Sequence, residues 1–600
     1  LFQRALTIRE KSLTPNHPDV ASFLSSLALF YAAKGELAQA VSAQLRANAV
    51  SEHNIILNLA AGSERQKLAY LDLLSKQSNQ SLSLHVQSAP MDQRALRMAL
   101  LTLFQRKGRS LDAMSNAFAQ LRRGTNAQEQ ALFDQFTDTV SRIANLTFQG
   151  PDAKNPAAYI AQRKQLDEQK EKIEAELSKR SAEFQVQIKP VTLESIQAVI
   201  PGESALVEIG AYSPVDVKLG KRGNPHYVAY ILFPRDEPRW VDLGEAKPVD
   251  QAIAAFRQAL HDPKIIRVRT LARAVDEKVM RPVRKLLGQT RNILLSPDGA
   301  LNLVPFAALV DEQNRYLVER YSFTYLTSGR DLLRFRPDVQ LAKAPVIVAD
   351  PDFGEKSADS KAASSTDILD LRQAYFSPLA ATAEEAKALK AILPQATVLT
   401  RDQATETALK QLASPSVLHI ATHGFFLVDQ VEDSSEAERR RKLLQQTGDL
   451  ASLGVRLENP LLRSGLGLAG ANLRKSGDDD GILTAMEVAG LNLWGTKLVV
   501  LSACETGVGE VRTGEGVYGL RRALVLAGAE TQVMSLWPVS DQGTRDLMIN
   551  YYKALQAGQG RSEAMRQVQL RMLKDPRRRH PFYWASFIVS GEWANLDGRR

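Results

Sequence analysis

Cysteine is the scarcest residue in this sequence: Cys504 stands alone in 600 residues. One cysteine excludes an intrachain disulfide and fits a reducing compartment, so a cytoplasmic protein is expected. It also excludes zinc sites built on paired thiolates. The 8 histidines are scattered without ligand spacing, so neither a metal nor a cofactor is expected. Long apolar runs are missing as well. None approaches the roughly 20 residues that a membrane span requires, and no secretory signal pattern is present. Aromatic residues make up only 6%, and none is interleaved with the basic clusters at 439–442, 577–579 and 599–600. The formal charge of +9 therefore reads as solvated faces, and nucleic-acid binding rests on charge alone.

What is present is the composition of a globular protein, 44% apolar and 24% charged, long enough for about four domains. The first fifty residues repeat: LFQRALTI (1–8) lies over AQLRANAV (43–50), Arg4 on Arg46, Ala5 on Ala47 and Ile8 on Val50. Between them, 18–34 has helical apolar spacing and stops at Gly35, and a second helix is predicted from Glu36. The chain starts inside a helical pattern, so further repeats are expected before Leu1. Residues 55–185 continue helical, with a hairpin around Lys107-Gly108 and a charged helix over 159–180.

At Lys189-Pro190 the period changes. Predicted strands at 205–209, 227–233 and 291–295 alternate with helices such as 250–260 and 271–287, which implies an α/β unit with a mostly parallel sheet. A second α/β set begins at Ala344. Its strands are predicted at 345–349, 397–399, 417–421, 497–501, 532–536 and 586–589, with helices that include 484–489, 516–526 and 544–557. The polar stretches 352–377 and 429–457 read as loops beside a site.

Two of these strands end in chemistry. KLVVLSACETG (497–507) delivers Cys504 to the carboxyl end of an apolar strand, the rim where open α/β sheets bind ligands. VLHIATHGFF (417–426) delivers His423-Gly424 in the same way. A thiol with an ordinary pKa near ~8.5 needs a base to form thiolate at neutral pH, and an imidazole is suited to that role. Gly424 and the N–H of Cys504 could supply an oxyanion hole. The bland alternative is a small buried cysteine. His419 lies inside the apolar run and reads as a core histidine. The remaining histidines lack a glycine turn. Asp478-Asp479-Asp480-Gly481 reads as a turn rather than a calcium loop.

Taken together, ATHGFF (421–426) and LSACETG (501–507) resemble the CHAT family, caspase-like peptidase domains related to caspases and separases and found with tetratricopeptide repeats. Further segments carry the resemblance: SPDGALNLVPFAAL (296–309), NPLLRSGLGLAGAN (459–472), DGILTAMEVAGLNL (480–493), GEGVYGLRRALVLAGAE (514–530), MSLWPVSD (534–541) and PFYWASFIVSGEW (581–593). The N-H-P-D-V linker at 16–20 is similar to that of the longer tetratricopeptide repeats. The resemblance implies an α-helical repeat region followed by an α/β caspase-like domain: repeats over 1–54, a helical extension over 55–188, a non-catalytic pseudo-caspase unit over 189–340, and a peptidase unit over 341–600. It implies a cysteine endopeptidase with His423 as general base, Cys504 as nucleophile, Gly424 and Cys504 as oxyanion donors, a thioester intermediate, a protein substrate, and no metal. It also carries the expectation of a cytoplasmic bacterial effector.

MSLWPVSD resembles the separase segment in which an acidic residue lines a pocket for a basic side chain. Asp541 falls at its last position, with a helix N-cap as its alternative role. Glu505 and Glu515 are the alternative pocket acids. A protein regulator bound by the helical region is expected to order the loops. The competing reading is a non-catalytic scaffold for protein–protein interaction.

Overall fold

The structure is a computed structural model that describes residues 2–123, 126–150, 155–184, 191–216, 221–335, 343–355, 361–362, 374–427, 459–504, 506–539 and 541–599. The loop expected over 429–457, the basic cluster at 439–442 and the boundary at Lys189-Pro190 lie outside the described residues. Up to residue 184 the described chain is helical. Pro18–Ala33 and Leu37–Leu59 form the first long pair, and local chemistry sets their ends. The Asp19 N–H donates to His17 Nδ1 at 3.2 Å, and Pro18 takes the first helical turn, where a missing N–H costs nothing. Gly35 then turns the chain at φ 78°, a region that a Cβ disfavours.

Gln93–Arg106 and Arg109–Arg123 meet at Lys107-Gly108, as the sequence predicts. Lys107 is buried. Its Nζ donates to Glu208 Oε1 at 2.8 Å and to the carbonyls of Ile209 and Ser296, which anchors the helical hairpin in the sheet.

From Ser204 onward the chain builds one 11-stranded sheet. Its order is Arg239–Glu245, His226–Leu232, Ser204–Tyr212, Asn292–Ser296, Ser322–Tyr325, Phe587–Gly591, Thr531–Ser535, Leu498–Leu501, Val417–Ala421, Val346–Pro351 and Thr397–Arg401. The sheet is mixed. The three strands at the first edge pair antiparallel, as does Phe587–Gly591 with Thr531–Ser535, and the rest run parallel. Phe587–Gly591 enters between Thr531–Ser535 and Ser322–Tyr325, so the two α/β stretches share one sheet. Apolar side chains leave both faces: Val417 and Ala421 enter one core, Leu418 and Ile420 the other. Two-sided burial explains why these strands read as continuous apolar runs.

Two local expectations are corrected. The helix expected from Gly516 begins at Leu520, because Glu510–Arg512 and Gly516–Tyr518 form a hairpin instead. Gly514 and Gly516 lie at φ 76° and 85°, so the glycine turn overrides the apolar spacing around it. The helix expected over 271–287 is two, Val268–Lys278 and Met280–Leu287. Pro282 lacks the N–H that would carry one helix across the junction. The helix expected over 484–489 is present as one turn, Ala485–Val488, between the caps Thr484 and Ala489; the Thr484–Glu487 capping box closes its start, and the strand Ile482–Thr484 precedes it.

Candidate active site

Val417–Ala421 and Leu498–Leu501 are adjacent parallel strands, with Val417 opposite Leu498 and Ile420 opposite Leu501. That offset is 498 − 417 = 81, and the separation of His423 from Cys504 is also 504 − 423 = 81. Parallel pairing in this register carries both residues off the sheet at the same level. The two loops then touch. A Cβ on Gly424 would lie 2.5 Å from the Cys504 carbonyl oxygen and 2.8 Å from Thr506 Cγ2, so only glycine lets the histidine turn reach the cysteine loop. Cys504 itself is half-buried.

The imidazole of His423 is oriented from behind. Its Nε2 lies 2.8 Å from the Ser377 carbonyl oxygen. A carbonyl only accepts, so Nε2 carries the hydrogen, and in the neutral ring Nδ1 keeps its lone pair. Phe353 and Phe376 pack against the ring at centroid distances of 5.3 and 5.9 Å. Asn472 fixes Phe376: its side chain accepts from the Phe376 N–H at 2.8 Å and donates to the Phe376 carbonyl at 2.9 Å. Asn472 belongs to the 459–472 segment, which thereby acquires a role. Residues 352–377 were expected to form a loop, and its described ends supply the ring's environment. Nothing in the local pattern of Ser377, Phe353, Phe376 or Asn472 marks them as neighbours of His423. A backbone acceptor leaves no side-chain signature at all.

The turn is held from the other side as well. Gly424–Phe426 pairs with Ser464–Gly467, which pairs with Ile482–Thr484, making a small three-stranded sheet. The Gly467 N–H donates to the His423 carbonyl at 2.9 Å. The cysteine loop is tied to the next strand through one residue. Ser535 donates from its Oγ to the Ala503 carbonyl at 2.5 Å and from its N–H to Thr506 Oγ1 at 3.2 Å, and its carbonyl accepts from the Gly507 N–H at 2.7 Å.

His419 is the core histidine that the sequence implies. It is fully buried, shares a 3.2 Å hydrogen bond with the Tyr552 hydroxyl through Nδ1, and places Nε2 3.0 Å from Glu385 Oε1. Asp541 is the first residue of the helix Asp541–Gln556, at the same carboxyl edge of the sheet as His423 and Cys504. Glu505 lies outside the described residues. Glu515 faces the helical region: its Oε2 is 3.7 Å from Arg522 Nη1, and Arg522 in turn bonds to Glu64 and Ser110.

The hairpin that carries Glu515 begins at Glu510, a few residues after Cys504, and four other parts of the chain grip it. Gly514 accepts from the Gly108 N–H at 2.6 Å and donates to Asp298 Oδ1 at 2.8 Å. Arg522 stacks over Tyr518 at 4.2 Å, and Arg463 pairs with Glu510. The helical region thus contacts the segment immediately downstream of the cysteine.

Asp479 forms part of a second polar cluster. Lys410 Nζ lies 2.8 Å from Glu406 and Asp479, 2.9 Å from Glu487, and donates to Ser141 at 2.9 Å. Burial pushes the Glu406 carboxyl up to about 9, with Glu487 adding to the shift. Burial opposes charge on Lys410, yet Glu487 and Glu406 hold its pKa above the ordinary lysine value. Among the described residues no group of three or more acids, histidines and cysteines is arranged to hold a metal ion. Lys410→Met is expected to destabilise the fold by about 1–3 kcal/mol, the cost of stranding charged partners. Urea midpoints of the variant and the parent at pH 7 check this; equal midpoints would refute it.

No helix among the described residues is long and apolar enough to cross a membrane. A family model described as CHAT domain matches residues 269–592. Human tetratricopeptide repeat protein 28 is 25% identical over 325 residues, and its mouse counterpart 23% over 334. Each match spans 52% of this chain and only 12% of the relative's own length. Among solved structures, a chain of the Saccharomyces cerevisiae separase–securin complex matches with a TM-score of 0.38 and 9% identity, over 91% of this chain and 40% of that one. A chain in the complex of Porphyromonas gingivalis RgpB pro- and mature domains matches with a TM-score of 0.31 and 10% identity, over 58% and 78%.

Proposed function

Since this chain belongs to the CHAT-domain family, we propose that it is a cysteine endopeptidase whose nucleophile is Cys504 and whose general base is His423. The observation that supports this most is the shared offset of 81 residues, which leaves the histidine turn and the cysteine loop in contact at Gly424. In this reading Nδ1 of His423 takes the thiol proton, and the thiolate attacks the peptide carbonyl carbon. The N–H groups of Gly424 and Cys504 stabilise the oxyanion, typically worth several kcal/mol. Collapse of the intermediate breaks the C–N bond, and the imidazolium returns its proton to the leaving amine. Water then hydrolyses the thioester with His423 again as base.

Asp541 is the proposed contact for an Arg or Lys side chain amino-terminal to the cut, in keeping with its position at the rim. Glu515, spent on Arg522, is the weaker pocket acid. The division at residues 54, 188 and 340 belongs to the same proposal, as do a cytoplasmic setting and a protein regulator bound by the helical region. The hairpin between Cys504 and that region offers the route by which such a regulator would act.

A panel of fluorogenic peptides tests the reading. Peptides with Arg or Lys before the scissile bond are expected to be cleaved about tenfold or more faster than those with Leu or Asp, the scale of one desolvated ion pair. Equal rates would remove the basic pocket. Proteome-wide mapping of new amino termini, with Cys504→Ala as control, tests the endopeptidase itself. An identical set of termini from both proteins would reject it.

A further inference from the structure

The helix Ala380–Ile392 starts three residues after Ser377, and its Glu385 is 3% exposed. One oxygen of this carboxylate gathers two separate segments. Ser502 Oγ donates to Glu385 Oε1 at 2.9 Å, and His419 Nε2 lies 3.0 Å from the same oxygen. Ser502 stands two residues before Cys504, and His419 four before His423, on the strand that leads to it. Through its other nitrogen His419 reaches Tyr552, on the helix that begins at Asp541. The backbone ladder between the two strands ends at Ile420 and Leu501, followed by one more bond from the Ser502 N–H to the Ile420 carbonyl. Glu385 sits at the mouth of that ladder, joining Ser502, the first residue past its end on the cysteine side, to His419 on the strand that leads into the histidine turn.

A buried carboxylate is expensive to desolvate, and apolar side chains of similar volume often serve a core as well or better. Stability alone therefore does not account for Glu385. We infer that Glu385 is a positioning residue for the cysteine–histidine pair, acting through Ser502 and His419 to hold the two strand exits at a fixed separation. This rests on the peptidase reading above. It concerns the placement of the thiol and not its chemistry: Glu385 touches neither reacting group.

The test is the second-order rate at which iodoacetamide alkylates Cys504, the only thiol in the chain, alongside peptide kcat and KM, in the full-length protein. Glu385→Met keeps the volume and removes the acceptor. It is expected to slow alkylation at neutral pH and kcat by about 10- to 100-fold, the cost of misplacing reacting groups by a fraction of an ångström to one ångström. KM and the melting midpoint should hold. Glu385→Gln retains an acceptor oxygen and should stay within about threefold of the parent, while Ser502→Ala, which removes one contact, should show an intermediate loss. Glu385→Met reacting at the parental rate while His423→Ala has lost reactivity would overturn this inference and leave the peptidase reading standing. Glu385→Gln losing as much as Glu385→Met would overturn it too, since charge and not placement would then be at stake. If Glu385→Met unfolds, Ser502→Ala decides, and a parental rate there refutes the proposal. Alkylation that never depended on His423 would instead sink the reading beneath it.

Discussion

Replacement of Cys504 by alanine is expected to abolish both covalent labelling by an electrophilic peptide and peptide cleavage, with cleavage falling about 10⁴-fold or more. Because the chain has one cysteine, a single mass shift reports this site and no other. His423→Ala separates the base from the nucleophile. At neutral pH labelling should slow by about 10²- to 10⁴-fold, the usual contribution of a positioned general base. The loss should depend on pH in a definite direction. A thiol left without its base ionises near ~8.5, so labelling of His423→Ala should climb about tenfold per unit toward that value, recover about 30-fold of the loss, and level off above it. The parent should be less steep over the same range, because Nδ1 of His423 already accepts the proton. Parallel pH profiles for the two proteins would mean that His423 does not assist Cys504, and the dyad would have to be abandoned.

How much of this candidate site could be read from the chain depends on which atoms build it. His423 and Cys504 are side chains at the ends of apolar strands, and the equality of their separation with the strand offset makes the contact between their loops a matter of register. Ser377 contributes a backbone oxygen, which any residue could offer. Glu385 sits in TAEEAKALK, where acidic and basic residues alternate as they do on any solvated helix. Only the packing of that helix against the sheet turns it inward. Glu515 is one of the alternative pocket acids that the sequence offers. The hairpin built by Gly514 and Gly516 sets it beside Arg522. The sheet was legible as alternating strands and helices, whereas its antiparallel edge was not. Arg239–Glu245 is half polar, and its partner strand imposes the pairing more than its own pattern does. The entry of Phe587–Gly591 between two distant strands is a tertiary outcome that no local period encodes.

The second large effect is expected at Arg522, a guanidinium that is 1% exposed where the helical region meets the hairpin. It donates to Glu64 through Nε at 2.9 Å and to Ser110 at 3.2 Å, and it approaches Glu515 at 3.7 Å. Arg522→Met leaves two carboxylates buried without their cation, which should cost about 3–5 kcal/mol. Chemical unfolding checks the size of the loss. Peptide cleavage should fall with it, because the hairpin holds the segment after Cys504. Neutralising the stranded acids in Arg522→Met/Glu64→Gln/Glu515→Gln should restore most of the stability. A triple variant as unstable as the single one would show that stacking on Tyr518, not charge, carried the effect. The pair also predicts a pH signature. Burial holds Glu64 partly against ionisation, but Arg522 and Lys170 outweigh it and keep that carboxyl below its usual value. Burial pushes Glu515 up to about 7, Arg522 opposing and Glu64 adding to the shift. The folded chain therefore keeps the Glu515 proton across a range, above 4.5, where the unfolded chain has released it. The stability this group contributes is complete below that ordinary value and is lost as pH rises through about 7. Glu515→Gln cannot release a proton, so it should match the parent at pH 4.5 and exceed it at pH 8. A variant no more stable than the parent at pH 8 would mean that Glu515 ionises in place without cost, with Arg522 compensating both carboxylates at once.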